Sequence, residues 1–398
     1  MFGLPSWLMV IPVLGFLVLI HELGHFVTAK YFRIMVTEFG FGFPPRLFGV
    51  RIGETLYSLN AIPLGGFVKM VGEEDPEHPR SFANQSIVKR TIVLCSGSLM
   101  NLLFPIIVFT LIFALPHEIL SGNIQITGVA PKSPAALAGL RPGDTILKIG
   151  DKNVLNHIEL IREVMTSVES QTKITVRRGP VIRGLNSSPE VSPVEEIFLT
   201  PRMIPPKYLV VSDNKITNTD EINLREAKRY NAQLNIGDIM TQGAVGIMIE
   251  TQNLKSVTKR HPIWTAIPMS LIQIESIIII TKNGIVAWMT GGPDPGFAGP
   301  VGIAQMTGQA ARAGLSPTLE LMALISISLG VFNLMPIPAL DGGRLMFVIL
   351  EWVRKGKRIS PEKESLFHLL GFIFLIAIIL FISYKDILHI LNGDSFVR

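Results

Sequence analysis

The residues best suited to chemistry cluster first at His21-Glu22-Leu23-Gly24-His25. On a helix, positions i and i+4 share one face, so both imidazoles can meet a single cation. Glu22 lies one residue along, placed to stand beside that cation rather than to bind it. The run sits inside a long apolar stretch, where ionisable residues are costly and functional by default. Two imidazoles do not complete a catalytic zinc site, which takes three protein ligands plus water. The other histidines, His78, His117, His157, His261, His368 and His389, carry no motif around them. The better third candidate is Asp341, in "NLMPIPALDGGR". Pro336 and Pro338 break the helix before it, and two glycines follow it. Irregular backbone at membrane depth is tolerated where it is buried in protein or lines a cavity. The alternative, that Asp341 caps the helix that follows, loses ground beside the intramembrane HELGH. Asn333 and Asn101 are polar side chains in apolar runs. Each can contact the substrate or the transition state, or can hydrogen-bond a neighbouring helix.

These residues need apolar elements to hold them. Charged residues make up 17% of the 398, against about 25% in an average soluble domain. Hydrophobic residues make up 48%, and the mean hydropathy is +0.42. This balance argues against disorder and against a wholly soluble chain. The lone cysteine, Cys95, excludes an intrachain disulfide and a cysteine-built metal site. The net charge of +5 reflects membrane topology rather than nucleic-acid binding, and no nucleic-acid partner is expected.

Four segments are long and apolar enough to cross about 30 Å of hydrocarbon: Leu4–Ala29, Thr91–Leu115, Thr318–Pro338 and Leu366–Ser383. The first reads as a span and not as a signal peptide, because no basic residue precedes it and no small-residue cleavage site follows. Lys30 and Arg33 come after the first span. The loop after the third holds Arg354, Lys355, Lys357, Arg358 and Lys363. Both loops therefore read as cytoplasmic, and the region between spans two and three as external. A fifth stretch, Pro262–Trp288, carries Gln273, Glu275, Lys282 and Asn283. A full crossing there would put the second basic loop outside, so the stretch reads as an interfacial helix.

From Asn123 to Arg202 the pattern is that of a soluble α+β domain. "NIQITGVA" alternates as a strand, and "SPAALAGLRPGD" reads as a short helix ended by Gly139. "TILKIGDKNV" reads as two strands around a Gly-Asp turn. Asn156 can cap a helix whose Ile158, Ile161, Val164, Met165 and Val168 share a face. "TKITVRR" and "EEIFLTPR" close the set as strands, separated by the Gly-, Ser- and Pro-rich loop Gly179–Pro193. Residues Pro205–Gln242 are polar and read as a linker or a small insertion. "GAVGIMIET" then resumes strand character. The run "GVAPKSPAALAGLRPGDTILKIGDKNV" resembles a bacterial PDZ domain, a module that binds extended peptide by adding it as a strand to a sheet edge.

Taken together, HELGH in the first span, "EFGFGFPP" and "NAIPLGGFVKM" in the first loop, the PDZ-like run and "NLMPIPALDGG" in the third span resemble the site-2 protease family of intramembrane zinc metalloproteases. The likeness is greatest to its bacterial branch, the regulator-of-sigma-E protease type with a PDZ domain. It covers the chain except for about Pro205–Gln242. Two features depart from the pattern. "SGSLMN" keeps Gly97 and Asn101 but has Ser98 where the family usually has proline, and only one PDZ domain is found where the branch often has two.

The resemblance implies one Zn2+ per chain held by His21, His25 and Asp341, with Glu22 as catalytic base. It implies an endopeptidase performing regulated intramembrane proteolysis of single-span proteins, such as anti-sigma factors or remnant signal peptides. The expected fold is a polytopic α-helical membrane protein of about four transmembrane helices, with a membrane-dipping β-hairpin in Val36–Met70 and an external PDZ domain. The expected organisation is an N-terminal membrane core over 1–122, the PDZ domain over 123–202, the linker or insertion over 203–261 and a C-terminal membrane core over 262–398. The expected location is the plasma (inner) membrane, multi-pass in the bilayer, with the PDZ domain on the periplasmic side contacting peptide or substrate. Two other classes compete. A catalytically silent scaffold would have no use for Glu22. A metal transporter fits the broken third span but not the PDZ domain.

Overall fold

A computed structural model describes residues 6–72, 78–179, 193–212, 220–292 and 298–391. The chain divides into two units. One holds Met1–Ala114, Pro262–Ile274 and Gly296–Arg398, and the other holds Leu115–His261 and Glu275–Pro295.

The helical unit begins with a 3-10 turn, Ser6–Met9, leading into α1 (Val10–Tyr31). This helix is apolar almost all round, the pattern of a helix surrounded by protein or lipid. It ends where Arg33 turns left-handed at φ 59°. A ribbon follows, β1 (Val36–Ile52) and β2 (Thr55–Met70), antiparallel and bent. Its first strand pairs with both halves of the second, so Phe39 faces Tyr57 on one side and Val68 on the other. Its far end is apolar and exposed at Phe43, Leu47, Phe48 and Ile52. The next helix, α2 (Ile87–Ala114), packs against α1. The contact is close because both helices present glycine. A Cβ on Gly24 would overlap the carbonyl of Ser96, and one on Gly97 would overlap the His25 ring. The two helices run antiparallel, with His25 beside Val93 and Phe16 beside Phe104.

The second unit opens with β3 (His117–Val129), α3 (Pro134–Leu137), β4 (Thr145–Ile149) and β5 (Lys152–Asn153). Then come α4 (His157–Thr166), β6 (Thr172–Arg177) and β7 (Val194–Leu199). Residues 180–192, most of the expected Gly/Ser/Pro loop, lie outside the described residues. Asn156 caps α4 by accepting from the Glu159 N–H, while Glu159 accepts from the Leu155 N–H, a reciprocal box. The face of α4 is not the one its periodicity indicated. Leu160 and Glu163 turn inward, with Glu163 paired to Lys152, whereas Ile158, Ile161 and Met165 are exposed. The inward position tolerates Glu163 because its charge is matched at the rim.

The stretch after Arg202 is a folded element. It contains β8 (Lys207–Val211), β9 (Glu221–Asn223), α5 (Leu224–Tyr230) and β10 (Ile239–Thr241). The strands order β10-β8-β9 over a small core of Val210, Ile222, Ala227 and Met240. The long strand β11 (Ile247–Lys259) returns to pair with β3, completing the order β11-β3-β4-β6-β7, with β5 on β4. The main core beneath this sheet is aliphatic: Ile124, Ile126, Ile146, Ile174 and Val176. The sheet is open rather than closed into a barrel.

The last helices are α6 (Ile263–Met289), α7 (Pro300–Ala313), α8 (Leu315–Leu334), α9 (Asp341–Val353) and α10 (Pro361–Leu391). Within the helical unit, α8 packs on α2, and Ser326 donates to the carbonyl of Asn101. Gly330 lies against Ser98 and Leu102, so α8 runs parallel to α1. The buried carboxylate of Asp386 accepts from the Gly302 N–H, matching the positive end of α7. Glu351 of α9 is buried between Arg90 and Arg358, at 2.8 Å and 3.2 Å.

The chain is a polytopic helical membrane protein with an associated soluble sheet domain. Five helices are long and apolar enough to cross a bilayer: Trp7–Tyr31, Ile87–Ala114, Ile263–Met289, Leu315–Leu334 and Pro361–Leu388. This is one more than the four spans expected. The addition is α6, whose polar residues are spread along 27 residues and leave its mean hydropathy high.

Candidate metal centre

Two helices and one broken segment build the site. The α1 helix carries His21 and His25 one turn apart on the face turned to α2. Asp341 arrives at the first turn of α9, after the break through Pro336 and Pro338. It does not cap that helix. Leu340 holds the cap position, and no side chain bonds there. The carboxylate turns instead to the histidines.

Asp341 Oδ2 lies 3.0 Å from His21 Nε2 and 3.2 Å from His25 Nε2. The two nitrogens are 3.1 Å apart. Tetrahedral zinc, with bonds of about 2.0–2.1 Å, sets its ligand atoms roughly 3.3 Å from one another. The proton inventory points the same way. His25 Nδ1 donates to the carbonyl of Val93 at 2.8 Å, so in the neutral ring Nε2 is a bare lone pair. Although close to both rings, Asp341 Oδ2 is buried and accepts no well-formed hydrogen bond. Three acceptors focused on one point are suited to hold a cation there. Among the described residues, this is the group of His, Cys, Asp or Glu side chains able to hold a metal.

His21 is oriented from behind by Asn101 of α2, whose carboxamide lies 3.4 Å from Nδ1. Asn101 Oδ1 is buried with no partner. Turning the amide over places that oxygen on the Nδ1–H, which satisfies both groups and frees Nε2 as a ligand. Asn101 thus backs His21 while also lining a cavity. Asn333 lines the same cavity. The cavity has about 240 Å³ and is lined by Val18, His21, Glu22, Asn101, Leu329, Asn333 and Ala339–Asp341. Glu22 faces it beside Gly66 of β2, where a Cβ would sit 3.4 Å from Glu22 Cγ. Among the described residues, neither Glu22 nor Asn333 has a side-chain hydrogen bond, so both are available to a ligand.

All six sequence candidates therefore converge on one site. Three contributors were not foreseen there: the carbonyl of Val93, the bare Cα of Gly97 against both imidazoles, and His368, which accepts from the Ala339 N–H. A main-chain carbonyl has no sequence signature, and a glycine contact is known only once the facing helix is placed. Of the remaining histidines, His78, His117, His157 and His261 do not join the triad. The side chain of His389 lies outside the described residues.

Comparison with known proteins agrees with this centre. The profile of Peptidase family M50 matches residues 9–378. A candidate zinc metalloprotease of Clostridium acetobutylicum is 29% identical over 391 residues, covering 96% of this chain and 98% of its own. One from Clostridium perfringens is 29% identical over 94% of this chain and 95% of its own. One from Brucella suis is 28% identical over 97% of each chain. The match spans both halves of the metal triad, and the chain belongs to peptidase family M50, the zinc-dependent metalloproteases of the site-2 protease type.

Proposed function

We propose that this protein is an intramembrane endopeptidase that cuts single-span membrane proteins, such as anti-sigma factors or remnant signal peptides, in the plasma (inner) membrane. The observation that carries the reading is an unpaired carboxylate, Glu22, facing the cavity of a buried His-His-Asp focus inside membrane-spanning helices. His21, His25 and Asp341 are the zinc ligands in this reading. When bound there, zinc supplies the Lewis acidity that activates water and polarises the scissile carbonyl. Glu22 takes the proton of the attacking water and returns it to the leaving amine. Asn333 donates a hydrogen bond to the substrate carbonyl, and Asn101 holds His21. A helical substrate must unwind before it is cut, because its carbonyls are engaged in i→i−4 bonds. The second half of β2, at the edge of the ribbon and beside Glu22, offers backbone groups to an extended strand.

Parity supports four crossings among the five candidate helices. The end of α2 lies at the same end of the helical unit as the start of α1, and α8 starts there too. An even number of crossings between α2 and α8 follows from this reading, and that argues against a single passage by α6. In addition, the second half of α6 belongs to the sheet unit, where Asn283 donates to the carbonyl of Met165 at 3.0 Å. We read α6 as a helix at the outer, periplasmic surface, with the PDZ domain on the same side. The exposed stripe Ile158, Ile161 and Met165 on α4, which packs against β11, suits an extended peptide.

The test is co-expression with single-span substrates bearing either a bulky external domain or a short stub. Wild type should cut the stub form and spare the bulky one. Replacing Glu22→Gln should abolish both cleavages with zinc retained. Deleting residues 123–202 should raise the ratio of bulky to stub cleavage. An unchanged ratio in a folded, zinc-loaded deletion removes the gating role, and cleavage by Glu22→Gln removes the catalytic assignment.

A further inference from the structure

We propose that His368, on the last helix, is a positioning residue that sets the third metal ligand through the backbone of the segment before it. This rests on reading His21, His25 and Asp341 as a zinc centre. Between α8 and α9 the chain passes through Met335-Pro336-Ile337-Pro338-Ala339-Leu340. Two of these residues lack an N–H, and the Ile337 and Leu340 N–H groups bond to carbonyls within the turn, which leaves the Ala339 N–H to be met from outside it. Ala339 is left-handed at φ 70°, a conformation that side-chain-bearing L-residues keep only where surroundings enforce it. Its N–H, the first available after Pro338, donates to His368 Nδ1 at 2.9 Å. One turn along α10, Gly371 leaves room for Pro338, and a Cβ there would overlap the proline ring. The helix thus grips consecutive residues, Pro338 by shape and Ala339 by a hydrogen bond. Asp341 is two residues further on, with its Oδ2 in the focus of the triad.

The ring shows a directional commitment. Because Nδ1 accepts, the proton sits on Nε2, which is buried and unpartnered. A histidine serving only to fill space against Phe347 and Phe367 would gain nothing from this tautomer. The arrangement favours the Ala339 bond at the expense of the other nitrogen.

Asparagine and glutamine separate the two nitrogens, because the Asn carboxamide falls near the place of Nδ1 and the Gln carboxamide near that of Nε2. The full-length protein in nanodiscs is titrated with zinc against a chelator, and the cobalt-substituted form is read by its visible spectrum. His368→Asn should keep zinc affinity within about threefold of wild type. His368→Gln should weaken it by about 10–100-fold, the usual effect of losing a partner behind a metal ligand, and should alter the cobalt bands. His368→Phe keeps the ring without its acceptor and should match the Gln variant, which covers misfolding of either. Equal affinity in Asn and Gln variants, or retention in Gln with loss in Asn, overturns the proposal. So does failure of both Gln and Phe variants to fold while Asn folds, since the role would then be structural. A wild-type protein that binds no zinc sinks the metal-centre reading instead.

Discussion

The two units treat buried polar atoms in opposite ways. In the sheet unit they are matched. Buried Asp144 accepts from the Arg178 guanidinium at 2.7 Å and from the N–H groups of Arg141 and Gly179, and buried Asn156 closes a cap. Among the described residues, the buried side-chain atoms without a partner are all in the helical unit except Arg202 Nε. Of these, Asp341 Oδ2 and His368 Nε2 lie in or around the candidate metal centre, whereas Asn101 Oδ1 is matched by His21 once its amide is turned over. An unmatched buried polar group costs about 1–3 kcal/mol, so a fold optimised for stability alone would not gather them. The sheet unit is built to persist, and the helical unit gathers a group of side chains able to hold a metal. Stability changes should therefore dominate when the first is altered, and metal and activity changes when the second is.

The sharpest break of that contrast is at the ligands. His21→Ala or His25→Ala should lose nearly all zinc from a protein that otherwise holds about one ion per chain, measured by elemental analysis after dialysis. Glu22→Gln should keep the zinc and lower cleavage by about 10²–10⁴-fold. Full zinc in both histidine variants would mean that the focus of unmatched atoms is not a metal site.

A subtler break leaves every ligand in place. A Cβ on Gly97 would overlap His25 Nε2 and come within 2.8 Å of the His21 ring. Gly97→Ala should therefore drive both imidazoles off the focus and cost at least tenfold in zinc affinity. In the sheet unit, Gly139→Ala meets no neighbour but is strained at φ 80°. It should lower the melting temperature and leave zinc unchanged. If the two substitutions behaved alike, the division between a metal-holding and a stability-holding unit would collapse.

Much of this contrast is legible in the sequence, for uneven reasons. His21 and His25 are readable because helical spacing fixes which side chains share a face, and Asp341 because prolines mark a broken helix inside an apolar run. The choice between ligand and helix cap at Asp341 is not readable. It depends on where α1 stands when the carboxylate turns, and that is set by the Gly24–Gly97 approach. The face of α4 misled because its exposed Ile158, Ile161 and Met165 outnumber the inward Leu160, and periodicity assigns a larger apolar stripe to the core. The extra helix α6 shows the limit of hydropathy, since length and composition admit a span where parity argues against one. Residues 203–242 carried no signal because their core is only a few side chains.

A buried ion pair gives the next effect. Arg90 and Arg358 hold Glu351 from two sides, and both sides of the Arg90 pair are nearly shut off from solvent. Removing one partner of such a pair typically costs about 3–5 kcal/mol, because the other charge is left buried. Glu351→Gln should lower thermal stability by several degrees. It should also weaken zinc modestly, because α9 carries both Glu351 and Asp341. A loss of stability with zinc affinity unchanged would show that α9 is held at its far end independently of the centre.

The smallest effect lies at the surface of the helical unit. Glu54, in the turn between β1 and β2, accepts from Lys30 Nζ at 2.9 Å and from both Arg80 Nη atoms at 2.8 Å. The Arg80 guanidinium, and then the Lys30 ammonium, pull its carboxyl down from an ordinary 4.5 to about 2. A depressed carboxylate stabilises the fold in its charged form. Its contribution is complete above about pH 4.5 and is lost as pH falls towards 2. Solvent screens so exposed a cluster, so Glu54→Gln at pH 7 should shift the melting temperature by only about 1–2 °C. The informative reading is the pH profile of melting. The difference between wild type and variant should be constant from pH 7 to 5 and should shrink below about pH 4.5. A difference that grows on acidification would reverse the sign and remove the clamp that ties the ribbon turn to the end of α1. Zinc occupancy at pH 7 should not change, because the pair touches neither a ligand nor the cavity. A loss of zinc in Glu54→Gln would show that ribbon position and metal affinity are coupled after all.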